Sequence, residues 1–148
     1  MAYTLQHLEN EEAFGASFDL MRVLRPHVAH PATYVAQLVR QTRQGYRLLA
    51  AWGGDHIVGL IGYRELENLL YGRFFYVDDL VASPELQGIG LGRRLLTAVR
   101  DEAVQRGCDH FVLDTGLHMP LAQRFYFRQG LLARGMHFTQ SLQAESKL

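Results

Sequence analysis

The stretch Gln87-Gly88-Ile89-Gly90-Leu91-Gly92 decides how this chain is read. Three alternate glycines exceed what a simple chain reversal requires, because each missing Cβ lets backbone approach a ligand closely. Downstream, Leu91 to Arg106 carries the clearest helical pattern in the chain. Leu95, Leu96, Val99 and Ala103 form one stripe, Arg93, Arg94, Arg100, Asp101 and Glu102 lie off it, and Gly107 is the stop. Upstream, Phe74 to Ala82 reads as a strand closed by Pro84. A glycine loop that opens a helix offers amides with no intrahelical acceptor, and a pyrophosphate is the usual occupant.

Two familiar phosphate sites fit this loop poorly. A dinucleotide-binding unit wants a third glycine where Arg93 stands, and its loop follows the strand at once, whereas Ser83-Pro84-Glu85-Leu86 intervene here. Asp109 or Asp114 lies at a suitable spacing for a ribose contact, yet two helices precede the loop, where the fingerprint normally opens the fold. A Walker loop is excluded because no Gly-Lys-Ser/Thr occurs.

Working outward, Tyr3 to Leu8 alternates as a first strand, and Asn10 caps a helix whose apolar positions are Phe14, Phe18 and Met21. Arg25-Pro26 stops it, since proline disfavours helical geometry in the preceding residue. A second helix begins at Pro31, buries Val35, Leu38, Val39 and Thr42, and ends at Gly45. Tyr46 to Trp52 and Ile57 to Tyr63 form a hairpin about Gly53-Gly54-Asp55, and Asn68 to Gly72 is a looser connection to Phe74. After the main helix come a short strand, Phe111 to Leu113, a helix from Pro120 to Arg128 ended by Gly130, and a closing strand, Met136 to Leu142. The order β-α-α-β-β-β-α-β-α-β, without repeats or an internal linker, indicates one α+β domain spanning residues 1–148.

Composition sets the outer limits. The 148 residues carry 15 Lys plus Arg against 15 Asp plus Glu, a formal net charge of zero. Neutrality argues against a nucleic-acid partner, which requires many phosphate neutralisations. It leaves room for a local pocket that takes one polyanionic ligand. A chain of 16.8 kDa buries about 69% of its unfolded surface, enough for one core. The single cysteine, Cys108, excludes a disulfide framework and reads as a structural thiol without a partner base. The start shows no export signal and no apolar run spans a membrane, so a cytoplasmic protein is expected. His27 and His30 lack a third ligand, so no metal is expected.

Two motifs in register resemble the GNAT superfamily of acyl-CoA-dependent N-acetyltransferases. One is Gln87-x-x-Gly90-x-Gly92, after a strand and Pro84; the other is Ala122-x-x-Phe125-Tyr126-x-x-x-Gly130. The resemblance covers nearly the whole chain. It implies a mixed central sheet of about six or seven strands flanked by about four helices. It also implies acetyl-CoA as co-substrate, with Leu80 and Val81 along the pantetheine arm and Gln87, Gly88, Ile89, Gly90, Leu91 and Gly92 around the phosphates. Arg93, and with it Arg94, would meet the remaining negative charge. Tyr126 would be the general acid, and a homodimer is the family-level expectation. Met119 stands where the family often has asparagine, and Leu131 where phenylalanine is commoner.

The expected reaction is acetyl transfer from acetyl-CoA to the primary amine of a small-molecule amine substrate, by direct attack in a ternary complex. An acyl-CoA-binding regulatory or partner module without turnover is the alternative. Freeing the lone pair of a lysine-like amine at neutral pH costs about 4.6 kcal/mol, which a carboxylate base offsets in part. Asp78 and Asp79 are the candidates. Strand alternation sends them to opposite faces unless a bulge intervenes, and Asp78, on the face of Tyr76, is preferred. The competing reading pairs both with nearby arginines. Tyr126 has its own competing reading, as an aromatic packed beside Phe125 and Phe127. The acceptor site is expected from the Arg25-Pro26-His27 junction, the Asn68 to Gly72 loop and the final strand, with His137 and Tyr76 pointing in and Arg25 or Arg73 holding a substrate carboxylate.

Overall fold

In the computed structural model, which describes residues 2–143, the apolar runs pair as strands in sequence order. β1 (Thr4–Leu8), β2 (Arg47–Gly53), β3 (His56–Asn68), β4 (Gly72–Ala82) and β5 (His110–Leu113) form one sheet in the order β1-β2-β3-β4-β5. β1 to β4 pair antiparallel with one another and β5 runs parallel to β4. A parallel neighbour demands a crossover, and the main helix supplies it. The helices are α1 (Glu11–Ala16), α2 (Phe18–Leu24), α3 (Pro31–Thr42), α4 (Leu91–Gln105) and α5 (Pro120–Arg128).

The residues form two compact units, one running to Leu113 and the other starting at Asp114. In the first, each face of the sheet is covered separately. On one, Phe14, Phe18, Met21, Tyr34 and Leu38 from α1–α3 pack on Leu8, Tyr46, Leu48, Ala50, Leu60 and Val81. On the other, α4 buries Leu91, Leu95, Leu96 and Val99 completely or nearly so. Gly59 of β3 admits this helix, because a Cβ there would press on Leu95 and Leu91. The stops set at Gly45, Gly107 and Gly130 hold, and at Gly107 the next amide, Cys108, bonds back to Ala103 while Gly107 bonds to Val104. No helix among the described residues is long and apolar enough to cross a membrane.

Three expectations are corrected. Among the described residues the sheet has five strands, not six or seven, because the expected closing strand over 136–142 joins no ladder. Its alternating apolar residues are exposed, Phe138 at 84% and Leu142 at 93%; alternation makes a strand only where a neighbour satisfies the backbone. The described residues form five α-helices rather than about four, because the segment read as one helix from Asn10 breaks at Ser17. The fully buried Ser17 hydroxyl bonds the Phe14 carbonyl and the Tyr34 phenol, each at 2.7 Å. A serine hydroxyl that competes for backbone partners is a recognised cause of such breaks. Finally, the looser connection over 68–72 is a tight one. β3 continues to Asn68, whose side chain accepts from the Tyr71 amide at 2.7 Å.

Candidate functional site

The glycine loop follows a single 3₁₀ turn, Pro84–Leu86, that leads out of β4. Gly88 and Gly90 adopt φ of +89° and +84°, in the left-handed region, and a Cβ at either would meet open space. Glycine is therefore required there by backbone conformation, not by crowding. Gly90 is the N-cap of α4, and its carbonyl accepts the first helical bond, from Arg94 at 3.0 Å. Leu91, Gly92 and Arg93 therefore begin the helix with amides that have no intrahelical acceptor, and no side chain caps them. Gln87, Ile89, Arg93 and Arg94 are exposed around this end, whereas Leu91 turns into the core. A helix start of this kind is suited to an anion.

β4 reaches the loop with one edge open. Its ladder to β5 ends at Val77 opposite Leu113, whereas its ladder to β3 continues to Ala82 opposite Gly59. The four residues Asp79–Ala82 thus have strand pairing on one side only among the described residues. Val81 buries its side chain in the α1–α3 core and Leu80 is half-buried. What both offer to a ligand is backbone, in the manner of an added strand.

The two acids lie at a β-bulge. Gly62 pairs with Asp79 and Tyr63 with Val77, so Asp78 is the extra residue. Both carboxylates consequently meet partners on the α1–α3 side. Arg64 grips Asp78 through Nη2 at 2.8 Å and Nε at 3.1 Å to the same oxygen. Arg25, at the C-cap of α2, donates from Nε to Asp79 at 3.0 Å and from Nη2 to the Asp78 carbonyl at 2.8 Å. The Tyr46 phenol donates to the other Asp79 oxygen at 2.8 Å. Burial pushes the Asp78 carboxyl above the ordinary carboxylate range and the neighbouring Asp79 charge adds to this, against the pull of Arg64 and Arg25. Burial, reinforced by Asp79, raises the Tyr46 phenol well above its usual value and keeps it a donor.

The second unit holds the other motif. Tyr126 lies on α5, half-buried and edge-on to Phe125 with centroids 5.4 Å apart. The helix closes as expected at Gly130, with Leu131 bonding back to the Tyr126 carbonyl. Gln123 ties it to the preceding turn by donating to the carbonyls of Gly116 and Leu117. His137 pairs with Asp114 at 2.9 Å. Of the arginines considered for a substrate carboxylate, Arg25 is engaged as above, and Arg73 reaches Glu65 at 3.4 Å and the Arg106 carbonyl at 3.0 Å.

Sequence reasoning missed Arg64, Tyr46 and Gly62 as members of the acid cluster. A Cβ on Gly62 would overlap the Tyr46 phenol, so this glycine makes the space through which Tyr46 reaches Asp79. Nothing in the local pattern announces it, because the partners are 16 positions apart and meet only through strand register.

Comparison with known proteins gives the family. The family model described as Acetyltransferase (GNAT) family matches residues 5–131, and the chain belongs to that family. An aminoalkylphosphonate N-acetyltransferase of Salmonella typhimurium is 31% identical over 98 residues, 66% of this chain and 62% of that protein. A thialysine N-epsilon-acetyltransferase of Sus scrofa is 32% identical over 60 residues, 40% of this chain and 35% of the relative. The chain thus matches less than two thirds of the length of either relative. Among solved structures, a Trypanosoma brucei acetyltransferase superposes with a TM-score of 0.79 at 20% identity, covering 95% of this chain and all of that one. An aminoglycoside N-acetyltransferase solved with CoA gives 0.83 at 13% identity over 95% of each chain. At such identities the likeness is one of fold.

Proposed function

We propose that the protein transfers an acetyl group from acetyl-CoA to the primary amine of a small molecule, by direct attack in a ternary complex. The observation that carries this reading is the open β4 edge leading into a helix start with unpartnered amides. The pair suits a ligand that joins an extended arm to a pyrophosphate, and it stands in a chain of this family. Acetyl-CoA, when bound, supplies the thioester carbonyl and the thiolate leaving group.

The chain's own residues do the rest. The backbone from Gln87 to Gly92 holds the phosphates, with Arg93 beside them, and the edge at Leu80 and Val81 holds the arm and donates an N–H to the carbonyl. Asp78 takes the amine proton, directly or through water, because burial raises its carboxyl and so its basicity. Its ion pair with Arg64 still leaves acceptor capacity on both oxygens. Asp79, bonded through both oxygens, positions. Tyr126 gives a proton to the leaving thiolate. Support for a small acceptor comes from the relatives, which are named for an aminoalkylphosphonate and for thialysine.

The test is CoA release from acetyl-CoA over a panel of small amines that includes aminoalkylphosphonates and thialysine. Acetyl-CoA-dependent turnover of at least one amine is expected. Tight acetyl-CoA binding with no release across the panel replaces this reading with that of a ligand-binding module.

A further inference from the structure

The acid cluster contains one side chain that touches both halves of the bulge. Arg25 spends its planar fork on two different groups, the Asp79 carboxylate through Nε and the Asp78 main-chain carbonyl through Nη2. A bulge breaks the local ladder, so its extra residue needs partners from elsewhere. Within a trans peptide the C=O and N–H point opposite ways. Holding the Asp78 carbonyl therefore also fixes the direction of the Asp79 amide, at the start of the open edge.

The same arginine ends α2 just before Pro26. It thereby ties the Pro26–His30 connection to β4. Tyr46 completes the arrangement from the other Asp79 oxygen, and it reaches there only because position 62 is glycine. We infer that Arg25, acting through Asp79 and the Asp78 carbonyl, is the positioning residue that holds the β4 bulge in its transfer-competent geometry.

This rests on the acetyl-transfer reading but has a readout of its own. The charged and titratable groups that face Asp78 are Arg64 from β3, Asp79 from β4, Arg25 from α2 and Tyr46 ahead of β2, with Tyr34 of α3 behind Tyr46. Of these, Arg25 favours the ionised form of Asp78, and it also neutralises Asp79, which disfavours it. Removing Arg25 must therefore shift Asp78 titration to higher pH whether or not an acceptor turns over. Lysine keeps the charge but presents a single point donor, which does not span two acceptors as the fork does.

The experiment compares wild type, Arg25→Ala and Arg25→Lys by carboxyl-carbon NMR titration, acetyl-CoA binding and, with an active amine, kcat and its pH profile. In Arg25→Ala the Asp78 titration and the acidic limb of the kcat profile should move up together. Its kcat should fall about ten- to a hundred-fold, the scale of a misplaced reacting geometry, with acetyl-CoA affinity little changed. Arg25→Lys should restore most of the titration and little of the rate. An unchanged Asp78 titration and kcat in Arg25→Ala overturn the inference, and so does full recovery of kcat by lysine. If no amine turns over in wild type, the activity proposal fails. The titration then still decides whether Arg25 governs Asp78.

Discussion

At the residue scale, chemistry depends on which protons are available, and two tyrosines show how context assigns roles. Tyr46 is sealed against Asp79 and serves structure. Tyr126 lies half-buried on a short helix, and the proposed reaction has its phenol supply the proton that a leaving thiolate requires. Tyr126→Phe removes the hydroxyl and leaves the ring against Phe125. Its kcat should fall by about a hundred-fold or more, the usual contribution of a general acid, with little change in the KM for acetyl-CoA. Steady-state kinetics across pH check this, and an unaltered kcat at every pH takes the acid role from Tyr126. The arginine partners of Asp78 and Asp79 were legible only as an alternative, because sequence shows which charges exist and not which of fourteen arginines comes within 3 Å.

At the element scale, the join between β4 and α4 is the part that sequence read best. Its glycines are local requirements, so they leave a local signature. Gly90 holds φ of +84° with open space where a side chain would go. Gly90→Ala therefore costs conformational strain and no clash, about 1–2 kcal/mol. In a chain of this size that lowers Tm by about 2–8 °C. Because the strain falls on the turn that presents the first helical amides, acetyl-CoA affinity should drop as well. Thermal melts with an acetyl-CoA titration measure both, and unchanged affinity in a destabilised variant would show that the loop does not hold the ligand. The closing strand failed for the opposite reason: strand formation over 136–142 needs a partner edge, which is not a property of that segment.

At the scale of the whole molecule, half-buried polar groups around the buried Tyr63 couple stability to pH. His7 Nε2 lies 2.7 Å from the Tyr63 oxygen, and Tyr63 donates to Glu102 at 2.9 Å, so the His7 Nε2–H donates to the Tyr63 oxygen. Arg47 closes the group on Glu102 at 2.7 Å. Burial first, then Arg47, holds His7 below its usual value of 6.5. A histidine lowered in the folded state stabilises above its unfolded value, and that contribution is lost as pH falls through the folded one. Asp78 has the opposite sign. Its raised value gives a contribution present in acid and lost as pH rises through it. His7→Gln keeps a donor and abolishes the titration. On moving from about pH 7.5 to about pH 5, wild-type Tm should fall further than that of His7→Gln. Equal falls in melts at the two pH values would remove His7 from the acid response.

The sequence by itself determined the family and the helix stops, and marked the glycine loop and the two acids as candidates, because motif spacing and glycine and proline rules act within a few residues. Only the tertiary structure decided that Asp78 is bulged, that both acids meet their partners on one side of the sheet, and that Gly62 exists to let Tyr46 through. Those facts follow from the register between β3 and β4 and from the packing of α2 against them. Register is a relation between distant segments, and a one-residue slip in it sends a side chain to the other face.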